Sequence, residues 1–285
     1  MAEGVKQAVF DAVIALAEEF DDLRSFLPVG SHADRGKPEE LHNDYDFLYV
    51  FDDLTWTRYR LLRSRLDAIA ASLSTPEHLV YVDDRLGPVK PQGPTPKVTM
   101  VQPLLFDRAS FRDYIRAAPF LTLDWARFPV LRGLPLTAYG AIGFPTVELL
   151  LNARAGIRHY REMAREQTVI ALVPVERNGR VGRERQPLRV TPDLLLELHH
   201  AVVTRTMTNA LMVFAHDNSG VKGAPLVERF TERFPSLTPH APFALDLIER
   251  QARLRAGKPI TYDDADGQRR SITFLDAMEA FCLDG

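Results

Sequence analysis

Two aspartates separated by one residue open an apolar run in the first quarter of the chain. Asp44 and Asp46 flank Tyr45, and the run continues from Phe47 to Phe51. Because side chains alternate between the two faces of a β-strand, Asp44 and Asp46 share one face. Carboxylates this close repel each other unless a cation lies between them, and hard oxygen ligands suit Mg²⁺. The pair therefore predicts a site for Mg²⁺ or Mn²⁺; the simpler alternative is two aspartates that face solvent.

A glycine and a serine end the preceding apolar run, Phe26 to Val29. Gly30 allows the backbone to approach a phosphate closely, and Ser31 can donate hydrogen bonds to it. His32 and Arg35 lie next to this serine in a polar loop of twelve residues that leads to the aspartate pair. These four residues are candidates for nucleotide binding. For His32 and Arg35, the alternative is that they are ordinary solvated loop residues.

The order Gly-Ser, spacer and Asp-x-Asp on a strand resembles the signature of the nucleotidyltransferase superfamily, which includes DNA polymerase β and the antibiotic nucleotidyltransferases. The resemblance covers residues 26–51 and extends to the rest of the chain only in outline. It implies transfer of a nucleoside monophosphate from a nucleoside triphosphate to an acceptor hydroxyl, with release of pyrophosphate. Asp44 and Asp46 would hold the Mg²⁺ ion that acts on the phosphates.

The family usually carries a third metal-binding carboxylate on a nearby strand, and this is where the sequence departs from the pattern. The strand predicted from Lys97 to Phe106 contains no Asp or Glu. Three aspartates flank it, namely Asp83, Asp84 and Asp107. We assign Asp107 as the candidate third metal ligand; otherwise Thr99 or Gln102 occupies that position.

The pattern of apolar residues along the sequence changes near Pro145. Residues 1–145 mix apolar strand-like runs with helices, which predicts an α+β nucleotidyltransferase domain with a mixed sheet. Residues 146–285 carry mainly helical periodicity and predict a helical C-terminal domain. Glu148 is the first carboxylate of the helix that begins at Thr146, so it is a candidate general base for the acceptor hydroxyl. Its alternative role is to complement the helix dipole.

This two-domain layout is nearest to the aminoglycoside and lincosamide nucleotidyltransferases, so we expect a small-molecule acceptor of an antibiotic-like kind. A formal net charge of −3 disfavours a nucleic-acid partner. The single cysteine, the lack of a long apolar run and the lack of a secretory signal predict a cytoplasmic protein without a membrane partner.

Two alternatives remain open at this point. The first is a nucleotidyltransferase that acts on RNA, such as tRNA, or on a protein, for example as a toxin. It is favoured by the five arginines of the polar segment 176–189, which we expect to be a solvated loop or an anion-contacting arm. The second is a nucleotide-binding protein without catalysis, because the third carboxylate is missing from its expected strand.

Overall fold

The computed structural model describes residues 2–33, 44–87, 98–143 and 147–284. Its first half contains a five-stranded sheet with helices on both faces. The strands are β1 (Leu23–Val29), β2 (Asp44–Phe51), β3 (Leu79–Val82), β4 (Val98–Asp107) and β5 (Arg132–Gly133). The helices are α1 (Ala2–Glu18), α2 (Gly30–Ala33), α3 (Trp56–Leu73), α4 (Arg108–Ala117) and α5 (Pro119–Trp125).

The strand order is β3-β4-β2-β1-β5, and the sheet is mixed. Strand β2 runs antiparallel to β1 and parallel to β4, while β3 is parallel to β4 and β5 antiparallel to β1. Strand β2 therefore lies in the middle, with a hydrogen-bonded neighbour on either side. The α+β class and the mixed sheet are as expected from the sequence.

Strand β2 separates two apolar layers. Phe47, Tyr49 and Phe51 face a core that includes residues from α1 and α3. Leu48 and Val50 face the opposite core, which includes residues from α4 and α5. Burial on both faces explains why this strand is a continuous apolar run rather than an alternating one.

The second half is mainly helical, and its core surrounds one long helix, α7. Its helices are α6 (Val147–Glu166), α7 (Leu195–Ala215), α8 (Ala224–Arg233), α9 (Ala241–Arg255) and α10 (Asp264–Asp284). Helix α7 begins after a short 3₁₀ turn at Pro192–Leu194. Leu198, Val202 and Met207 are fully buried, which shows that α7 is the centre of this half. Among the described helices, none is long and apolar enough to cross a membrane.

A β-hairpin interrupts the helical half. Strands β6 (Thr168–Arg177) and β7 (Arg180–Arg189) pair over their whole length. Asn178 and Gly179 form the turn with φ of 53° and 77°, as a type I′ turn requires. The sequence indicated only a polar loop or arm over 176–189, so that interpretation was wrong. The Asn-Gly pair was the available signal.

The hairpin packs on the sheet of the first half. Leu86 and Leu172 exchange two backbone hydrogen bonds of 3.1 and 2.8 Å. The half-buried Arg183 side chain donates to the backbone oxygen of Leu105 at 2.8 Å and lies over the ring of Phe106. Burial lowers the pKa of its guanidinium. The two halves of the chain therefore share a packed boundary at this hairpin.

Glycine 133 provides a test of the sheet edge. It has a φ of +90°, and a Cβ there would lie 1.9 Å from the backbone oxygen of Arg24. We expect Gly133→Ala to lower the free energy of unfolding by more than about 1 kcal/mol, since both backbone strain and a clash arise. Gly156→Ala, on open helical surface, should raise it by about 0.5–1 kcal/mol. Urea titrations of both variants measure this, and equal effects would contradict the assignment of β5.

Candidate functional site

The sheet brings Asp44 and Asp46 together as the sequence predicted. Both lie on β2, and the strand's alternation places them on one face. Asp46 is opposite Val29 of β1 and opposite Gln102 of β4. Both aspartates are partly buried. Two carboxylates therefore share one face at the end of the sheet where β2 begins.

Gly30 follows β1 directly and lies against the carboxylate of Asp46. It has a φ of +74°, and a Cβ added there would be 2.5 Å from Oδ2 of Asp46. The position therefore requires glycine for conformation and for space. The backbone of Ser31 and His32 forms the short helix α2, but their side chains lie outside the described structure, and so does Arg35.

Gln102 occupies the place beside Asp46 where a third carboxylate was expected. Its Nε2 donates to the backbone oxygen of Arg85 at 2.6 Å. Thr99 is on the opposite face of β4, where its hydroxyl is 2.7 Å from the ring of His78. Of the two residues proposed for the vacant position, Gln102 is therefore the one that fills it.

The aspartates that follow β3 are engaged in ion pairs. Asp83 is paired with Arg85 at 2.8 and 2.9 Å. Asp84 accepts a hydrogen bond from Tyr59 at 2.6 Å and pairs with Arg63 at 3.0 Å. These partners give both carboxylates a structural role at the end of β3.

The structure does not bring Asp107 to the aspartate pair. It is opposite Phe51, five residues beyond Gln102 along β4, which corresponds to about 16 Å of strand. Its carboxylate caps helix α4 by accepting from the backbone N–H of Ser110 at 2.7 Å. The assignment of Asp107 as the third metal ligand is therefore wrong, because this side chain is a helix cap at the other end of the sheet. The spacing Asp-x-x-Ser was the signal for that cap.

The helical half contributes a carboxylate that the sequence analysis missed. Glu197 lies in the first turn of α7, where Gln251 of α9 donates to its Oε2 at 3.0 Å. Burial raises the pKa of Glu197, Arg255 opposes that rise, and the negative charge of Asp44 adds to it. Helix α7 carries several polar residues, so the sequence gives no signal that singles out Glu197 among them.

The charges of three cationic side chains act on His200 in the next turn of α7. Burial and the charges of Arg255, Arg205 and Lys222 lower the pKa of His200 to about 3. Among the described residues, Arg205 forms no ion pair within 4 Å. Burial raises the pKa of Tyr114 on α4 to about 12, and the charges of Arg183 and Arg205 oppose that rise, so Arg205 acts on the boundary with the first half. This positive region suits an anion, and phosphate oxygens are its natural acceptors.

Glu148, the candidate general base, lies in the first turn of α6, and its side chain is outside the described structure. Within the described ranges, no group of three or more His, Cys, Asp and Glu side chains is placed to hold a metal ion. The Asp44–Asp46 pair still fits Mg²⁺, because this ion usually takes one or two protein carboxylates together with substrate phosphates and water.

No protein-family model matches the chain, and no curated protein matches it in sequence.

Gly30 gives a direct test of the site's geometry. We expect Gly30→Ala to displace the carboxylate of Asp46 and to weaken divalent-cation binding, because the new Cβ would overlap Oδ2. Gly179→Ala is the matched control, since Gly179 also has a positive φ but has open space around its Cα. Isothermal titration with Mn²⁺ measures both. Equal affinities in the two variants would show that Gly30 does not shape the site.

The half-buried His200 makes stability dependent on pH, because desolvation of its imidazole lowers its pKa. In the unfolded chain it takes up a proton below about pH 6.5, whereas in the folded protein it does so only near pH 3. Its contribution is therefore complete above pH 6.5 and is lost as the pH falls toward 3, by up to about 1.4 kcal/mol per pH unit.

We expect His200→Gln to reduce the stability lost between pH 7.5 and 5.0 by about 2 kcal/mol. Urea titrations at the two pH values measure the difference. His216→Asn is the control, because His216 is exposed. The same acid sensitivity in the wild type and in His200→Gln would contradict the burial of this imidazole.

Proposed function

We propose that this protein is a Mg²⁺-dependent nucleotidyltransferase that moves a nucleoside monophosphate from a nucleoside triphosphate to a hydroxyl of a small-molecule acceptor. Pyrophosphate is the leaving group. The observation that carries the proposal is the placement of Asp44 and Asp46 on one face of β2, with the Cα of Gly30 against the carboxylate of Asp46. A phosphate-approaching glycine next to paired carboxylates is what transfer from a triphosphate needs.

In this proposal Asp44 and Asp46 hold the ion, which neutralises charge on the phosphates when bound. The backbone at Gly30 seats phosphate oxygens, since a residue without a Cβ permits close approach. The acceptor hydroxyl attacks the α-phosphorus as the bond to the β-phosphate oxygen breaks, and its proton passes to a base. Phosphoryl transfer requires little covalent chemistry from the protein itself. Positioning of the reactants and electrostatic stabilisation therefore account for most of the catalysis.

The cations near α7 support the same proposal. The charges of Arg205 and Lys222 add to burial in lowering the pKa of His200. A triphosphate held at β2 carries negative charge that these side chains can meet with charge-assisted hydrogen bonds. His200 stays neutral at physiological pH, so it can both donate and accept a hydrogen bond there.

One observation favours a second candidate, a protein that binds nucleotide without transferring it. Gln102 fills the position beside Asp46 where the superfamily usually has a carboxylate. An amide oxygen is a neutral ligand, so it cannot compensate a second metal charge as a carboxylate does. Binding of the nucleotide together with Mg²⁺ would then persist while turnover is absent.

The test is a pair of measurements on the same variants. We expect wild-type protein to bind ATP or GTP only with Mg²⁺ by isothermal titration, and to release pyrophosphate with an aminoglycoside or lincosamide panel. Asp46→Asn should lower the affinity for the magnesium nucleotide at least tenfold, because it removes one charged ligand. Asp107→Asn is the control, since asparagine also caps helices well.

Each outcome assigns one function. Binding and turnover that both depend on Asp46 support the transferase. Tight binding without pyrophosphate release over the panel supports the nucleotide-binding protein. Normal nucleotide binding by the Asp44→Asn/Asp46→Asn double variant would remove both candidates.

A further inference from the structure

A cavity of about 300 Å³ lies between helix α4 and the segment that follows the 3₁₀ turn Leu136–Ala138. Its walls are α4, the first residues of α5 and the segment 139–143. The volume is at the lower end of the range for small-molecule pockets, which is about 300–1,000 Å³. The cavity can therefore hold a compact molecule.

Two arginines of α4, Arg112 and Arg116, line this cavity. They are four residues apart, so they lie on the same face of the helix, one turn from each other. In the part of the chain that the structure describes, neither forms an ion pair within 4 Å, and no acidic residue lines the cavity. Like charges at this spacing repel each other. The two guanidiniums therefore form a positive region without a described protein counter-charge.

The wall opposite α4 is held in place, and it positions one of the arginines. The Nε of Arg112 donates to the backbone oxygen of Tyr139 at 3.4 Å. The hydroxyl of Tyr139 is 2.7 Å from Oγ of Ser25, and its ring packs edge-on against Phe111 with centroids 5.4 Å apart. The other N–H groups of Arg112 donate to no described residue, so they are available to a ligand.

The rest of the cavity is largely apolar. Ile115, Pro119 and Ile142 contribute hydrocarbon surface to it. Gly140 lets the two walls approach, because a Cβ added there would be 3.2 Å from Cδ1 of Ile115. A ligand that fills this space needs an anionic group for the arginines and a small body for the apolar side chains.

The simpler alternative is that these arginines only face solvent. Arg116 is in the last turn of α4, where a cation complements the helix dipole. The dipole does not account for Arg112, which lies near the middle of the helix. It also does not account for a cavity that both side chains line.

We infer that this cavity binds a small phosphate monoester, with the phosphate between Arg112 and Arg116 and the organic part against Ile115, Pro119 and Ile142. Guanidinium groups match phosphate oxygens in paired hydrogen bonds. A phosphate monoester carries a charge of about −1.5 to −2 at neutral pH, which two guanidiniums balance, whereas a carboxylate would leave one of them uncompensated. The inference goes beyond the proposed function, because it involves neither the β2 aspartates nor Gly30.

The experiment is isothermal titration of the full chain with propyl phosphate in the presence of EDTA, so that no divalent cation takes part. We expect saturable binding by the wild type. The dissociation constant should rise about 10- to 100-fold in Arg112→Gln and in Arg116→Gln, because each loses charge-assisted hydrogen bonds. Arg60→Gln is the matched control, since Arg60 is an exposed arginine of α3 that does not line the cavity.

Two further measurements separate ligand binding from helix stabilisation. Arg116→Lys keeps the charge at the end of α4 but loses the planar fork, so we expect weaker binding with an unchanged melting temperature. A lower melting temperature of Arg116→Gln with the affinity of the wild type would overturn the inference and leave Arg116 as a partner of the dipole. Butyrate should bind at least tenfold more weakly than propyl phosphate, and equal affinities would overturn the assignment to phosphate.

The outcomes are independent of the proposed transferase. Asp46→Asn should bind propyl phosphate in EDTA as the wild type does. Loss of binding in Asp46→Asn with normal binding in both arginine variants would place the phosphate at β2 and overturn this inference. No saturable binding by the wild type would overturn it too, and the nucleotide titrations with Mg²⁺ would then decide the proposed function separately.

Discussion

The alternation of side chains along β2 is the constraint on which the candidate site depends. Phe47, Tyr49 and Phe51 are fully buried on one face, so the register of the strand cannot slip without exposing them. That same register directs Asp44 and Asp46 to the other face. The large apolar residues therefore hold the orientation of the two carboxylates, although none of them takes part in chemistry. Strands β1 and β4 on either side prevent the strand from turning.

The elements near this strand could be predicted because their signals are local. Gly30 and the aspartate pair were identified from residue types and spacing, and the structure places Gly30 against Asp46. The α+β class follows from apolar periodicity in the same way. The helix caps carry equally local signals, yet Asp107 was read as a metal ligand because its position after β4 suited the family pattern. The capping box shows that its partner is Ser110 and not an ion.

What could not be predicted depends on long-range packing. Glu197 is 54 residues from Gln251 along the chain, and only the packing of α9 on α7 brings the two side chains into hydrogen-bond contact. The hairpin is similar, since the arginines of β7 look like a solvated face in the sequence. Arg183 instead enters the protein and binds a backbone oxygen of β4. A polar residue that is buried by a distant element has no periodicity of its own, so sequence patterns do not reveal it.

The hairpin of β6 and β7 has a consequence for how independent the two halves are. It belongs to the helical half by connectivity, but it seals part of the sheet through Leu172 and Val181, which pack on the two cores of the first half. A fragment that ended near residue 145 would expose to water the apolar surfaces that Leu172 and Val181 cover. It would also leave the backbone N–H and C=O of Leu86 without the partners that Leu172 provides. The halves are thus separate in sequence but not autonomous as folding units. A sheet domain cut out of this chain should therefore stay folded only when the hairpin that covers it is retained.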